Sequence, residues 1–424
     1  MKQRIFGWIT TLFGIVMALA VIEVTAIAWL FIEDGHYTPA AELYERTQNT
    51  YVRDLTKGTA CRYVDTLFPH PYLAFVHHNN PPCGLEYVNK IGLFGDDYPV
   101  VKRTDRYVIL LAGGSVASQM AQNWMSPPAP KYLEEELNKK YVSPNGKPFE
   151  VLNGGDGAWK EPQAFILFSL YATSVDAVVT LDGFNEYYSF WPGAEERLES
   201  PNSNFLEVNP FVADENFGDA AVGWVIGRVA GALARVPVLG RSHAAYMVIR
   251  GIEAVAKSKD NFSSTKKTTL TSLFSLPPDI PSDPDKLFQA QLGLYQKYER
   301  AIDAVARDNG VKTAHFIQPV PGWGKELTAE EKASVGDLSY IDRYRRMAAG
   351  LLALRDRGMA VFDLGDIYKD EKGKIYADDV HCYRDTIQTG PRAGRADSRG
   401  YTIMAESIAA DLAKVWGFKE KPGN

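Results

Sequence analysis

One stretch of this chain, from Arg106 to Ser118, restricts the choice of fold more than any other. Five consecutive apolar or aromatic residues, Tyr107 to Leu111, are typical of a strand buried on both faces in a parallel sheet. Gly113 and Gly114 follow and permit a sharp turn, because glycine alone adopts positive φ at little steric cost. Ser115 is therefore expected at the carboxyl end of a core strand, where open α/β sheets bind their ligands.

The glycines and serine of this turn do not by themselves define a function. They fit neither G-x-G-x-x-G nor G-x-x-x-x-G-K-[ST], the glycine-rich motifs that bind nucleotide phosphates. They also depart from the G-x-S-x-G motif of α/β-hydrolases, because Ala117 stands in place of the last glycine. Ser115 could be a nucleophile, the turn could hold a phosphate, or it could be a tight connection. Other segments must decide between these.

The composition indicates a globular protein and limits its partners. The chain has 424 residues, of which 46% are hydrophobic and 23% charged, and its formal net charge is −6. No nucleic acid partner is expected, since such proteins carry a basic face. There is no C-x-x-C pair and no H-E-x-x-H, so the sequence predicts no metal site and no cofactor. Cys61 and Cys83 are either a disulfide formed in an oxidising compartment or two unpaired thiols.

The amino-terminal residues 5–32 are apolar except for a single ionisable residue, Glu23. This stretch exceeds the roughly 20 residues with which a helix crosses a bilayer. Lys2 and Arg4 precede it, so the positive-inside rule places this end in the cytoplasm and the rest of the chain outside. A signal peptide cleaved near Ala26-Ile-Ala28 is the alternative, but the apolar run continues past it and favours an uncleaved anchor. Glu23 is expected near the outer interface, or paired with a partner helix in the membrane.

After an anchor over residues 1–34, the chain divides into a lead-in segment and one larger domain. Residues 35–104 contain many turn signals, which predicts irregular structure with short strands. Residues 105–424 alternate buried strands with helices, so we expect a three-layered α/β domain with a parallel sheet. A helical insertion over residues 190–285 is expected to pack on the sheet domain or to form a lid or membrane-resting flap. The predicted strands lie at 107–111, 149–153, 176–182, 311–319 and 359–364, and the predicted helices at 131–139, 162–171, 220–235, 243–257, 286–308 and 339–357.

A second group of polar residues lies near the end of the chain, in Tyr376-Ala-Asp-Asp-Val-His381. A carboxylate and an imidazole three residues apart can meet on one turn, where Asp378 would orient the ring of His381. If His381 reaches Ser115, the three form a nucleophile, a base and an orienting acid. The alternative is that one of seven histidines happens to follow two surface aspartates. That alternative loses support because Ser115, Asn185 and this pair are all expected just beyond the sheet.

Four ordered segments resemble the sequence blocks of the SGNH hydrolases, also called GDSL-type esterases and lipases. Gly113-Gly-Ser115 resembles the first block, in which the serine is the nucleophile. Asn153 to Ala158 resembles the second block, in which a glycine N–H donates to the oxyanion. Gly183-Phe-Asn-Glu186 is similar to the third block, G-x-N-D, with glutamate in place of the aspartate. Asp378-Asp-Val-His381 matches the D-x-x-H of the fifth block, which makes Asp378 rather than Asp379 the expected orienting acid.

This resemblance covers about residues 60–190 and 300–415, and it implies a flavodoxin-like, three-layer α/β/α fold. It also implies a serine esterase with Ser115, His381 and Asp378 as catalytic residues. The oxyanion hole would use the N–H of Ser115, the amide of Asn185 and one backbone donor. Ala158 aligns best with the glycine of the family, and Gly155 and Gly157 lie close by.

The lead-in segment also resembles that of membrane-anchored bacterial members of the family. Together with the anchor, this implies an esterase on the periplasmic side of a membrane, acting on ester bonds such as the O-acyl groups of envelope glycans or lipids. A catalytically idle envelope scaffold or glycan-binding module is the alternative. One departure from the family is a long insertion after His381, in which Arg384, Arg392 and Arg395 either bind an anionic group or are solvated surface.

Overall fold

The computed structural model describes residues 2–40, 42–43, 67–77, 88–121, 130–188, 241–251, 279–280, 283–386 and 396–422. Its internal contacts divide the chain into two compact units. The first consists of Met1–Thr66 and Asn209–Thr269, and the second of Leu67–Val208 and Leu270–Asn424. Several sequence predictions lie outside the described residues, namely those for Cys61, Cys83, Arg392, Arg395 and the helix at 220–235.

A long helix, α1 at Lys2–Asp34, is the main element described in the first unit. Within it the 25 residues Thr10–Asp34 are long and apolar enough to cross a membrane. Large apolar side chains along this helix are exposed, for example Trp8 at 77% and Ile32 at 79%. A helix that is apolar all round and is not covered by a protein core is compatible with a membrane anchor.

The carboxylate of Glu23 caps a second helical segment of the same unit, residues 243–251. Its Oε1 accepts a hydrogen bond from the His243 N–H at 2.7 Å, and its Oε2 accepts one from the Ala244 N–H at 3.1 Å. The hydroxyl of Ser242 also donates to Oε2, at 2.5 Å. Backbone N–H groups in the first turn of a helix lack partners within the helix, so an acid at this end satisfies them. The chain itself therefore supplies donors for the single acid in its apolar stretch.

The second unit begins with an antiparallel hairpin in the lead-in segment, formed by β1 at Leu67–His70 and β2 at Ala74–His77. Two further pairs of short strands lie later in the chain. In the first, β4 at Tyr141–Val142 pairs with β11 at Lys419–Glu420. In the second, β9 at Asp385–Thr386 pairs with β10 at Ala396–Asp397.

The centre of the second unit is a five-stranded parallel sheet, which confirms the predicted α/β class. Its strands are β3 at Tyr107–Gly113, β5 at Phe149–Gly155, β6 at Ala177–Asp182, β7 at Lys312–Ile317 and β8 at Val361–Asp363. They lie in the order β5-β3-β6-β7-β8. Counted along the chain within this sheet, the order is 2-1-3-4-5, the flavodoxin-like one. The direction of winding reverses between β3 and β6, and ligands bind in such sheets at this point.

Both faces of the sheet are covered. Every residue of β3 and of β6 is buried, and successive side chains of a strand point to opposite faces. The helices of this unit are α2 at Ser115–Ala121, α3 at Tyr132–Lys140, α4 at Gln163–Tyr171, α5 at Phe184–Tyr188, α6 at Pro284–Asp308, α7 at Ala329–Ser334, α8 at Ile341–Leu352 and α9 at Arg399–Trp416, with a 3-10 turn at Ala353–Arg357. Ile109 and Leu111 of β3 share the main hydrophobic core with α2, α3, α8 and α9. The helices α4 and α6 pack against each other and against the sheet.

Candidate active site

Ser115 is the first residue of α2 and is separated from Gly113, the last residue of β3, by Gly114 alone. Gly113 has a φ of +147°, and a Cβ at this residue would lie 2.2 Å from the carbonyl oxygen of Leu181 on β6. A Cβ at Gly114 would lie 2.3 Å from the side-chain nitrogen of Asn185. Gly113 is thus required by the backbone turn, and Gly114 by the close approach of Asn185.

The imidazole of His381 contacts Ser115, although the two residues are 266 positions apart in the chain. Its Nε2 lies 2.7 Å from Ser115 Oγ, and its Nδ1 lies 2.9 Å from Oδ2 of Asp378. An ionised carboxylate can only accept a hydrogen bond, so Nδ1 donates to Asp378. Nε2 is then left to accept the hydroxyl proton of Ser115. Alcohol, imidazole and carboxylate form one continuous hydrogen-bonded chain.

Asp378 is the aspartate of the pair that contacts the imidazole. Its Oδ1 also accepts the backbone N–H groups of Val380 at 2.9 Å and His381 at 2.7 Å. Burial alone would raise the pKa of Asp378. The hydrogen bond and charge of His381, together with these N–H groups, outweigh burial and hold the pKa of Asp378 below its ordinary value. The carboxylate therefore stays ionised in the neutral pH range.

Asn185 lies in the short helix α5, which forms the turn after β6, beside the glycine that precedes Ser115. Its Nδ2 donates to the carbonyl oxygen of Trp159 at 2.6 Å. A side-chain amide has two N–H groups, so one remains after this bond. The next residue, Glu186, accepts the N–H of Gly183 at 2.7 Å and that of Glu161 at 3.0 Å. Glu186 thus joins the turn after β6 to the loop after β5.

The end of β5 and the loop after it contain the three residues, Gly155, Gly157 and Ala158, whose N–H groups the resemblance implies as oxyanion donors. The N–H of Gly155 donates to the side chain of Asn153 at 2.9 Å, and that of Gly157 to the side chain of Asp156 at 2.6 Å. Ala158 has a φ of +64°, the left-handed region that favours glycine. Within the described part of the chain its N–H bonds to no acceptor. Of the three donors, Ala158 therefore has the N–H that is left for a ligand.

A cleft of about 230 Å³ adjoins Asp378 on one side of these groups. Its walls include aromatic side chains and a turn that follows α7. The lining residues are Phe184, Tyr187, Tyr340, residues 334–337, Asp378 and Asp379. The lining therefore combines aromatic side chains with polar and acidic ones.

Glu331 of α7 holds the segment that leads to Asp378. Its Oε1 accepts the N–H groups of Ile375 at 2.8 Å and Tyr376 at 3.0 Å, and its Oε2 accepts from Lys325 Nζ at 2.8 Å. The Glu331 and Lys325 side chains are fully buried. Burial would raise the pKa of Glu331, but Lys325 and the N–H groups outweigh it and lower the pKa to about 2. The segment before Asp378 is thus tied to a charged, fully bonded carboxylate.

Two residues that follow His381 in the chain, Cys382 and Arg384, pack against other parts of the domain. Cys382 is a free, buried cysteine, and burial raises its pKa to about 12. It is a thiol at neutral pH and does not compete with Ser115 as a nucleophile. Arg384 donates to the side chain of Gln119 at 3.1 Å and lies 4.9 Å from the ring centre of Tyr401. Arg384 therefore packs between α2 and α9 and is not plain solvated surface.

Several residues that support the site were not singled out from the sequence. His77 Nε2 lies 2.9 Å from Asp156 Oδ1 with both side chains fully buried, which ties β2 to the loop after β5. Glu331 was missed because the segment that it holds, at Ile375 and Tyr376, lies some 44 residues away. The sequence does contain a recognisable pattern at Glu331, because Thr328 and Glu331 have the spacing of a capping box, which they form at the start of α7. Among the described residues, Glu161, Asp182 and Glu299 are the group whose ligand atoms are close enough to hold a metal ion.

Comparisons with known proteins do not assign this chain to a family. No protein-family model matches it, and no curated protein matches it. The roles of Ser115, His381 and Asp378 therefore rest on their geometry and chemistry.

Proposed function

We propose that this protein is a serine esterase or acyltransferase of the SGNH type, with Ser115 as nucleophile, His381 as general base and Asp378 as orienting acid. The observation that carries the proposal is the 2.7 Å separation of His381 Nε2 and Ser115 Oγ, with Nδ1 held by Asp378. These residues are 266 positions apart, so their meeting is a property of the tertiary structure. Nucleophile, base and orienting group within hydrogen-bond reach are the signature of nucleophilic catalysis.

In the proposed reaction, Ser115 Oγ forms a bond to the ester carbonyl carbon while its proton passes to His381 Nε2. The tetrahedral intermediate collapses when the imidazolium returns this proton to the leaving alcohol, and an acyl-enzyme remains. Water, or an acceptor hydroxyl in the case of acyl transfer, then attacks the acyl-enzyme by the same steps and frees Ser115. Asp378 holds the ring and stabilises its charged form throughout.

The negative oxygen of the intermediate would be met by three donors. These are the N–H of Ser115, the N–H of Ala158 and the second amide hydrogen of Asn185. Donors fixed before the reaction begins stabilise the charge that develops in the transition state. The left-handed Ala158, with a φ of +64°, supports its assignment among the three residues 155, 157 and 158.

The helix α1 supports a location at a membrane, and the basic residues Lys2 and Arg4 at its start support an amino terminus in the cytoplasm. The domain with Ser115 would then face the extracytoplasmic side, where esters of envelope glycans or lipids are the available substrate class. No metal or cofactor takes part in these proposed steps.

The proposal is tested by labelling the full-length protein in detergent with a fluorophosphonate serine probe. We expect labelling of the native chain and its loss in Ser115→Ala, with strong reduction in His381→Ala. Ser118→Ala is the matched control, because Ser118 lies in the same helix and bonds Asn153 rather than His381. A panel of acetyl and longer-chain esters then defines the acyl group. If the folded native protein is not labelled and hydrolyses no ester, it is an idle scaffold or binding module, and the proposal is wrong.

A further inference from the structure

We propose that the second unit contains a site for one hard divalent cation, of the Ca²⁺, Mg²⁺ or Mn²⁺ class, formed by the carboxylates of Glu161, Asp182 and Glu299. The three residues come from different elements: the loop before α4, the end of β6 and the helix α6. Each is at least 96% buried, with exposed fractions of 4%, 4% and 2%. The inference is independent of the proposed esterase activity.

Each of these side chains has one oxygen that is bonded and one that is not. Oε2 of Glu161 accepts the N–H of Phe165 at 3.3 Å, Oδ1 of Asp182 accepts the hydroxyl of Tyr295, and Oε2 of Glu299 contacts His315 and the hydroxyl of Thr180. The remaining oxygens, Oε1 of Glu161, Oδ2 of Asp182 and Oε1 of Glu299, are buried and have no hydrogen-bond partner among the described residues. Glu186, beside them, differs because both of its oxygens accept backbone N–H groups.

The separation of the oxygens fits a shared ion. One carboxylate oxygen from each residue lies within 4.8 Å of one from each of the others. Hard divalent cations bind oxygen at about 2.0–2.6 Å, so two ligands of one ion can be at most about 4–5 Å apart. Carboxylate oxygens are also the ligands that this class of cation prefers.

Charge gives the reason for a cation at this place. Three carboxyl groups share one buried space here, and all three can be ionised together only where positive charge compensates their negative charge. A divalent ion offsets most of that charge and supplies a partner for the three unbonded oxygens at once.

The ion would also connect two segments of the candidate active site. Glu161 follows the loop that carries Ala158 and Trp159, and Asp182 directly precedes the turn that carries Asn185. Asn185 and Trp159 are joined by the 2.6 Å hydrogen bond between them. An ion bound to both Glu161 and Asp182 would fix the distance between these two segments. Glu161, Asp182 and Glu299 are thus proposed as structural ligands and not as catalytic residues.

The test measures metal content and stability in the full-length protein, and needs no activity assay. The detergent-purified chain is equilibrated with CaCl₂, MgCl₂ and MnCl₂ in turn, desalted, and analysed by inductively coupled plasma mass spectrometry. We expect one equivalent of one of these metals per chain, a lower unfolding temperature after chelation, and recovery when that metal alone is returned. Ser115→Ala should keep the ion, which separates this result from the test of esterase activity.

Glu299→Gln and Glu161→Gln should each lose the ion and the response to chelator. Glu150→Gln is the matched control, because Glu150 is a buried glutamate of β5 that pairs with Arg103 instead. If the variants do not fold, the metal content of the native protein and its response to chelator alone test the proposal. A native protein that retains none of the three metals and unfolds at the same temperature with and without chelator overturns the proposal, and the three carboxyls then share protons. Full retention of the ion by folded Glu299→Gln also overturns it.

Discussion

The side-chain amide of Asn185 donates to the carbonyl oxygen of Trp159 at 2.6 Å. This bond joins the turn after β6 to the loop after β5, the two segments that flank Ser115. It also identifies which terminal atom of the Asn185 amide is the nitrogen, because the carbonyl oxygen of Trp159 requires a donor. One hydrogen of the amide is occupied by this bond, and the other bonds to no acceptor among the described residues.

Asn185→Ala should therefore slow ester turnover without unfolding the domain. Loss of one oxyanion donor typically costs on the order of 3 kcal/mol in the barrier, or about a hundredfold in kcat. Steady-state kinetics on a small ester, with circular dichroism as the check of folding, measures the effect. Asn309→Ala is the control, since Asn309 is exposed at the end of α6 and bonds only locally. Unchanged kcat in Asn185→Ala would remove this residue from the oxyanion hole.

The two neighbouring aspartates before His381 allow a matched comparison. Asp378→Asn should lower kcat by about a thousandfold or more, because an amide next to Nδ1 favours the wrong ring tautomer for a general base. Asp379→Asn should change kcat little, since Nδ1 of His381 donates its hydrogen bond to Asp378 and not to Asp379. Equal losses in the two variants would contradict the assignment of the orienting acid.

Ala158→Gly tests whether a backbone N–H, and not a side chain, is needed in the loop after β5. A left-handed non-glycine residue carries a strain of about 1 kcal/mol, which glycine relieves. We expect the variant to keep its turnover and to be as stable as the native protein or more so by up to about 1 kcal/mol in urea unfolding. Ala158→Val should be destabilised, because a branched side chain is poorly tolerated at a φ of +64°. A large loss of turnover in Ala158→Gly would speak against a backbone donor.

Glu331 should make the stability of the domain depend on pH in the acid range. Its pKa is lowered from 4.5 to about 2, so its stabilisation is complete above about pH 4.5 and is lost as the pH falls towards 2. The difference corresponds to about 3 kcal/mol. Glu331→Gln should thus reduce the free energy of unfolding most at neutral pH, and the gap to the native protein should narrow below pH 4.5. Glu330→Gln, at an exposed neighbour, is the control, and a gap that stays constant with pH would refute the prediction.

In the first unit, Glu23→Ala should loosen the start of the helical residues 243–251. Removing a helix cap costs about 1 kcal/mol, which corresponds to about a fivefold faster amide exchange in the first turn. Hydrogen–deuterium exchange of the detergent-solubilised protein measures it. Glu33→Ala, which removes an exposed pair with Arg250 on the same two helices, should have a smaller effect. Unchanged exchange at residues 243–246 in Glu23→Ala would mean that the carboxylate does not stabilise this helix.

Most of the central sheet was predictable from sequence because its strands are buried on both faces. Such strands appear as short apolar runs, and the runs at 107–111, 149–153, 176–182, 311–319 and 359–364 coincide with β3, β5, β6, β7 and β8. Ser115 and Asn185 were singled out because each closely follows such a strand, and Asp378 and His381 because they form a recognisable short motif.

Local sequence thus determined the elements, their burial and the residue types at the ends of the strands, because propensity and periodicity act over a few neighbouring residues. Only the tertiary structure decided the strand order, the contact of His381 with Ser115, and which of the N–H groups at positions 155, 157 and 158 already has an acceptor among the described residues. It also decided that Glu161, Asp182 and Glu299 share one buried space. These relationships join residues far apart in the chain, and the free energy that sets them comes from packing and hydrogen bonding between elements, which no single segment contains.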